Sequence, residues 1–189
     1  MSALESALLE VTAALERVGV RYMLIGGLAV SLWGEPRSTL DVDVTIWTEP
    51  EELERTIREL CAHLRAIPQN PSVFVRQTRV LPAMSSGQVR LDIVFASLPE
   101  EERIIGRAQP KTVAGRTVMV ISVEDLIFMK LASERPKDIQ DAQLLLRRFH
   151  DALDRVYLEP RLRELSAGLA RPDIWTLYEA EMNPHGSPG

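Results

Sequence analysis

The sequence predicts an α+β (α/β-like) domain, with short apolar strands alternating with amphipathic helices and a helical extension at the C-terminal end. Three observations predict it. Residues 40–46, LDVDVTI, alternate apolar and polar, whereas Leu4, Leu8, Val11, Leu15 and Val18 recur at three- and four-residue spacing. From Ser122 onward the periodicity is helical throughout. Residues 24–46, LIGGLAVSLWGEPRSTLDVDVTI, join an apolar strand, a Gly-Gly turn, a short helix and a strand bearing two acids.

Taken in order, the pattern predicts a helix over residues 2–18, stopped by Gly19, and a strand over 20–25. A short helix over 28–33 follows the Gly26-Gly27 turn. Pro36 suits the loop that turns the chain back. In the strand at 40–46, Leu40, Val42, Val44 and Ile46 point to a core, while Asp41, Asp43 and Thr45 point the other way. T-E-P-E-E-L then reads as a helix start, with Thr48 capping, Pro50 in the first turn, and Glu51 and Glu52 complementing the positive helix end. That helix reaches residue 63 or 64, with Leu53, Ile57, Leu60 and Leu64 inward. Strands are predicted over 73–81 and 89–95, joined by P-A-M-S-S-G-Q. A short helix over 99–107 and a hairpin over 111–121, turning at Ala114-Gly115-Arg116, come next. Ser122 and Asp125, at capping-box-like spacing, open a helix that buries Leu126, Ile127, Met129 and Leu131. Helices over 138–149, 153–165 and 172–182 follow, and N-P-H-G-S-P-G reads as a loose tail. The expected organisation is a core over 1–121, a helical region packed on it over 122–182, and a flexible tail over 183–189.

Composition bounds the function. A chain of 189 residues, 46% hydrophobic and 26% charged, supports one well-cored functional unit. Its net charge of −5 argues against extended wrapping of nucleic acid, which works by neutralising phosphates, though not against contact with one end of an RNA. Arg147, Arg148, Arg155, Arg161 and Arg163 lie on predicted helices and read either as a solvated face or as an RNA contact. One cysteine, Cys61, leaves no intramolecular disulfide and no cysteine metal cluster; a buried helix filler is its simplest role. His63, His150 and His185 are scattered, which gives a zinc site or a histidine triad little support. The opening MSALESALLE is acidic where a signal peptide is basic, and no apolar run spans a membrane, so a cytoplasmic protein without a membrane partner is expected.

The chemistry concentrates at the acids. Asp is depleted in strands, and two on one face stand with Cα atoms roughly 6 to 7 Å apart, so something positive should lie between Asp41 and Asp43. Mg²⁺, a hard cation held by carboxylates and substrate phosphates, suits them. Gly26 and Gly27 sit where backbone N–H groups and a helix dipole face an anion, with no Cβ to obstruct phosphate. Arg37 reads either as a triphosphate ligand or as an exposed loop arginine. Asp92, inside R-L-D-I-V-F, needs compensation, from a metal or from Arg90 or Arg76 at an exposed edge. Lys130 stands out in an otherwise apolar helix.

The motif G-G-x-A followed by G-x-x-R-x-T-x-D-x-D resembles the signature of the DNA polymerase beta-like nucleotidyltransferase superfamily, and most closely its stand-alone bacterial members, which include the AbiEii/AbiGii-type toxins. The likeness covers roughly residues 20–146. It implies a nucleotidyltransferase fold, a mixed β-sheet flanked by helices, with metal carboxylates Asp41, Asp43 and Asp92 on adjacent strands. It also implies nucleotide binding by Gly26, Gly27, Arg37 and Thr39, and Mg²⁺ or Mn²⁺ as cofactor. The later stretch E-D-L-I-F-M-K-L-A-S-E-R-P-K-D-I-Q-D is similar to the second half of those enzymes, which would bring Lys130 to the phosphates and Asp138 or Asp141 to the acceptor side. The competing reading is a snorkelling Lys130 and a plain helix-start Asp138. The expected activity is transfer of a nucleoside monophosphate from a nucleoside triphosphate to a hydroxyl. The acceptor is either tRNA, in a toxin–antitoxin pair with a protein antitoxin, or a small antibiotic-type molecule; a catalytically silent binding protein is the alternative from another class.

Overall fold

The alternation at residues 40–46 decides where the core lies. In the computed structural model, which describes residues 1–34 and 37–183, β1 (Arg21–Ile25) and β2 (Asp41–Trp47) pair antiparallel at the centre of a sheet. The chain divides into two units, Met1–Leu32 with Pro36–Ile121 and Trp33–Glu35 with Ser122–Gly189. Pro36 and residues 184–189 of the expected tail lie outside the described residues.

The first unit holds a seven-stranded mixed sheet. It adds β3 (Arg65–Ala66), β4 (Val80–Met84), β5 (Arg90–Ala96), β6 (Gln109–Val113) and β7 (Arg116–Val120), in the order β3-β4-β5-β2-β1-β7-β6. β2 runs parallel to β5, and β1 parallel to β7. One face is apolar without interruption: Leu24, Val42, Val44, Ile46, Leu91, Ile93, Leu81 and Ala83 are all fully buried. Burial of such side chains is worth about 1.5–3 kcal/mol each, which is why the strand register tolerates no slip of one residue. The other face carries Asp41, Asp43, Thr45 and Trp47 of β2 beside Arg90, Asp92, Val94 and Ala96 of β5.

Helices cover this sheet. α1 (Ala3–Val18) begins at a capping box in which Ser2 Oγ accepts the Glu5 N–H at 3.1 Å and Glu5 accepts the Ser2 N–H at 2.6 Å; it ends at Gly19, left-handed at φ 76°. α2 (Gly26–Leu32) starts at the first glycine of the turn, two residues earlier than expected. α3 (Leu53–His63), α4 (Pro71–Thr78) and α5 (Pro99–Gly106) complete the unit. Cys61 is partly buried in α3, and burial raises its thiol pKa.

Four expectations need correction. Residues 73–81 are not one strand. Asn70 accepts the Val73 N–H at 3.3 Å, Pro71 starts α4, and Arg79 ends it in the left-handed region, so the V-F-V run is helical and β4 begins only at Val80. The expected linker residues Pro82, Ala83 and Met84 belong to β4; its outer neighbour β3 is two residues long, and Pro is tolerated near such an edge. Thr48 is not the cap of α3. A 3-10 turn over Pro50–Glu52 precedes that helix with Glu49 at its N-cap, and Thr48 Oγ1 instead meets Thr56 Oγ1 at 3.1 Å. Leu40 and Met129 do not face a core: Leu40 is 88% exposed because the strand ladder begins at Asp41, and Met129 is 37% exposed.

The second unit is helical. α6 (Val123–Ala132), α7 (Pro136–Phe149), α8 (Arg155–Gly168) and α9 (Pro172–Met182) pack through Leu126, Ile127, Leu131, Leu145, Leu146, Leu158 and Tyr178, each 1% exposed or less. Ser122 caps α6, accepting the Asp125 N–H at 3.2 Å and donating its hydroxyl to Asp125 Oδ2 at 2.7 Å, so the acid answers the hydroxyl and not the backbone. No helix among the described residues is long and apolar enough to cross a membrane.

Candidate active site

The first unit gathers the acids of the sequence on one patch of sheet. Asp43 stands in register with Asp92 on the neighbouring parallel strand, and Asp41 lies two residues along the same face, in register with Arg90. All three carboxylates are partly exposed, unlike the apolar face behind them. Neighbouring strands are about 4.8 Å apart, so like charges at Asp43 and Asp92 repel unless a cation sits with them. The resting side chains answer this in part with protein partners. Thr39 donates its hydroxyl to Asp41 Oδ1 at 2.6 Å, and Arg90 Nε donates to Asp92 Oδ2 at 2.9 Å and Oδ1 at 3.1 Å.

The glycine turn abuts the same acids. Ile25 is the register partner of Asp43, and the next residue, Gly26, has φ +69°. A Cβ at Gly26 would collide with the Asp43 carboxylate; one at Gly27 would collide with the Arg37 guanidinium and lie 3.0 Å from Thr39 Oγ1. Backbone and side chains therefore approach closely here because both positions lack a Cβ. Asp41, Asp43, Asp92, Gly26, Gly27, Arg37 and Thr39 all fall in this one place.

In chemistry and placement this donor set fits a hard divalent cation: carboxylate oxygens, two on β2 and one beside them on β5, next to a cradle that a Cβ would fill. With Asp41 turned to Thr39 and Asp92 to Arg90, no three His, Cys, Asp or Glu side chains among the described residues close around a single point.

The other three predicted site residues meet in the second unit. Lys130 Nζ lies 2.5 Å from Asp138 Oδ1 and 2.9 Å from Asp141 Oδ2, and all three side chains are at most 7% exposed. Ser133 Oγ and Arg135 Nε donate to Asp138 Oδ2 at 2.8 and 2.6 Å. Burial works to raise the Asp138 pKa, but the bonds from Lys130, Ser133 and Arg135 and the charge on Lys130 together bring it below the ordinary carboxylate value. These contacts are those of a buried internal ion cluster; a phosphate role for Lys130 draws no support from them. Sequence reasoning missed Ser133 and Arg135 as partners of Asp138; of the two arginines it offered Asp92, Arg90 is the one bonded to it, while Arg76 pairs with Glu54. The R-L-D spacing, which puts Arg90 and Asp92 on one face, carried the signal for Arg90.

The sequence model of one protein family, described as nucleotidyl transferase AbiEii toxin, type IV TA system, matches residues 8–185. The chain belongs to this AbiEii family. It is thus a nucleotidyltransferase, and the acid face and glycine turn lie within the matched span. No curated protein matches the sequence. Solved structures with a similar fold include an antigenic nucleotidyltransferase-like protein from Paracoccidioides brasiliensis, 18% identical over 94% of each chain with a TM-score of 0.51. The solution structure of the antibiotic-resistance factor ANT(2'')-Ia is 18% identical over 96% of this chain and 97% of its own, with a TM-score of 0.54. The lincosamide antibiotic adenylyltransferase LnuA, lincomycin-bound, is 18% identical over 75% of this chain and 95% of its own, with a TM-score of 0.53. At such identities the likeness is one of fold, and it is the mixed sheet flanked by helices that the motif implies.

Proposed function

We propose that this AbiEii-family enzyme transfers a nucleoside monophosphate from a nucleoside triphosphate to an acceptor hydroxyl on the acid face of its sheet. Asp41, Asp43 and Asp92 hold Mg²⁺, or Mn²⁺ in its place. Bound there, the cation supplies the positive charge that the triphosphate and the departing pyrophosphate require. The backbone N–H groups of Gly26 and Gly27 donate to phosphate oxygens, and Arg37 adds its planar guanidinium. Thr39 steadies Asp41 through the 2.6 Å hydrogen bond. The acceptor hydroxyl gives its proton to Asp92, and its oxygen attacks the α-phosphorus in line. The new O–P bond forms as the bond to the bridging oxygen breaks, and pyrophosphate leaves with that electron pair. The observation that carries this reading is the register of Asp43 with Asp92, Asp41 on the same face, beside a turn with no room for a Cβ.

For the acceptor, membership of a family described as type IV toxins favours an RNA 3′ hydroxyl, that of tRNA, with a protein antitoxin as partner and the cytoplasm as the place of action. A small-molecule hydroxyl is the second reading, and a specific observation favours it. The late arginines are engaged within the protein: Arg147 with Glu181, Arg155 with Glu159, Arg161 against the rings of Phe128 and Tyr157, and Arg163 over Trp175. Labelled triphosphates incubated with the enzyme, Mg²⁺ and total RNA decide between them. Label on tRNA supports the first reading. Label only on added polyhydroxylated antibiotics supports the second, and no metal-dependent triphosphate turnover with either overturns both. Growth arrest on expression that vanishes with Asp41→Asn supports the toxin role.

A further inference from the structure

The acid face has a fourth corner. Asp41 is in register with Arg90 and Asp43 with Asp92, so four side chains leave one face of two parallel strands as a square. Its edges are about 4.8 Å across the strands and roughly 6 to 7 Å along them. Three corners are carboxylates and one is a guanidinium. Arg90 Nε bonds both oxygens of Asp92, at 2.9 and 3.1 Å, which turns that carboxylate toward the arginine. Hydrogen bonding and charge from Asp92 raise the Arg90 pKa, and the charges of Asp41 and Asp43 add to them against the cost of desolvation. The arginine thus stands in the field of all three acids. Its side chain is 55% exposed against 21% for Asp92, so the guanidinium reaches in from solvent. It also has somewhere else to go, since Arg90 borders a shallow cavity with Gln69, Asn70 and Gln77.

We propose that Arg90 is the resident cation of this site, a built-in competitor that holds Asp92 until a divalent ion displaces it. The proposal rests on the reading of the three acids as a cation site and deepens it. A patch of three acids with no counter-charge would bind stray cations and repel itself. With the Arg90 guanidinium bonded to Asp92, that corner of the patch is neutral at rest, and a divalent ion arriving with a triphosphate can still displace a single exposed side chain. Once released, the guanidinium is a donor for phosphate oxygens at the edge of the same site.

The test uses full-length protein without nucleotide and reads Mn²⁺ binding from the loss of the free-ion electron paramagnetic resonance signal. Arg90→Ala removes one positive charge beside the carboxylates and should tighten Mn²⁺ binding about tenfold. Arg90→Lys, which keeps a tethered charge, should stay nearer the wild type. In an Asp92→Asn background Arg90→Ala should change affinity little, because the group it competes for is gone. Unchanged or weaker Mn²⁺ binding in Arg90→Ala, with Asp43→Asn still reducing it, overturns the competitor role and leaves the cation site standing. Equal Mn²⁺ binding by the wild type and Asp43→Asn removes the cation site itself, and the proposal with it.

Discussion

Two ion clusters built from the same residue types differ in one respect, the balance of charge against burial. On the sheet, Arg90 binds Asp92, Thr39 binds Asp41, and the three acids remain partly open to solvent. Among the helices, Asp138 and Asp141 share Lys130, Arg135 also binds Asp138, and the three side chains of the core cluster are almost wholly enclosed. A buried charge set must be paired and hydrogen-bonded or its desolvation cost is not met. An open set costs less, because water screens it, and the proposed function gives its carboxylates a cation to hold. That contrast supports a structural part for the enclosed cluster and the proposed ligand chemistry for the open one.

The largest effect that would break this contrast is at Asp43. Asp43→Asn should lower nucleotidyl transfer by about 10²–10³-fold, the scale seen when one charge-stabilising group is lost. Its stability should change little, by at most ~1 kcal/mol, since the substitution relieves repulsion from Asp92. Steady-state transfer assays and urea melts on one preparation read both. A variant that unfolds readily, or that turns over triphosphate like the wild type, would erase the distinction.

Lys130 should show the opposite profile. Lys130→Met leaves two carboxylates buried together, and removing one partner of such a set costs about 3–5 kcal/mol. Urea unfolding should show this as a lower midpoint at an unchanged slope. Adding Asp138→Asn and Asp141→Asn should recover much of the loss, because no buried charge is then left in the cluster and the exposed Arg135 is solvated. A Lys130→Met protein of undiminished stability would move Lys130 out of the structural class.

Gly26 tests the seam between backbone and acids. Gly26→Ala forces a left-handed conformation on a residue with a Cβ, at about 1–2 kcal/mol, and presses that Cβ against Asp43. Transfer should fall further than stability does. Gly19→Ala supplies the control, since Gly19 is also left-handed but nothing stands within 4 Å of its added Cβ. It should cost a similar amount of stability and leave transfer unchanged.

These features were not equally legible in the amino-acid string. The acid strand was, because a period of two with one fully apolar face admits only one register, and that register sets Asp41 and Asp43 together. That Asp92 needs a partner followed from a lone acid in an apolar strand, but its place beside Asp43 came from the family resemblance. Arg90 was harder to place, because its opposition to Asp41 depends on how β5 aligns with β2, which no local pattern fixes. The helix α4 was misread because V-F-V favours a strand, while the Asn70-Pro71 start signal and the left-handed stop at Arg79 outweighed that preference. The partners of Lys130 lie across the break between α6 and α7, so their meeting is a product of helix packing and not of spacing along the chain.

The smallest effect concerns acid, and it follows from Asp138. Its pKa is lower in the folded protein than the ordinary carboxylate value of about 3.9. A group of this kind stabilises the fold fully above its unfolded pKa, and the contribution is lost as pH falls through the folded value. Stability of the wild type should therefore decline as pH drops below about 4, with Asp138 adding to the slope. Asp138→Asn is less stable at pH 7 because Lys130 loses a carboxylate, but the substituted side chain binds no proton, so its acid limb should be shallower. Urea midpoints measured between pH 5 and pH 2.5 give both slopes on full-length protein. Parallel limbs for the two proteins would show that Asp138 does not hold its charge any more strongly in the fold than in the open chain. The enclosed cluster would then owe its stability to packing around Lys130 and not to the ion pairs that set it apart from the acid face.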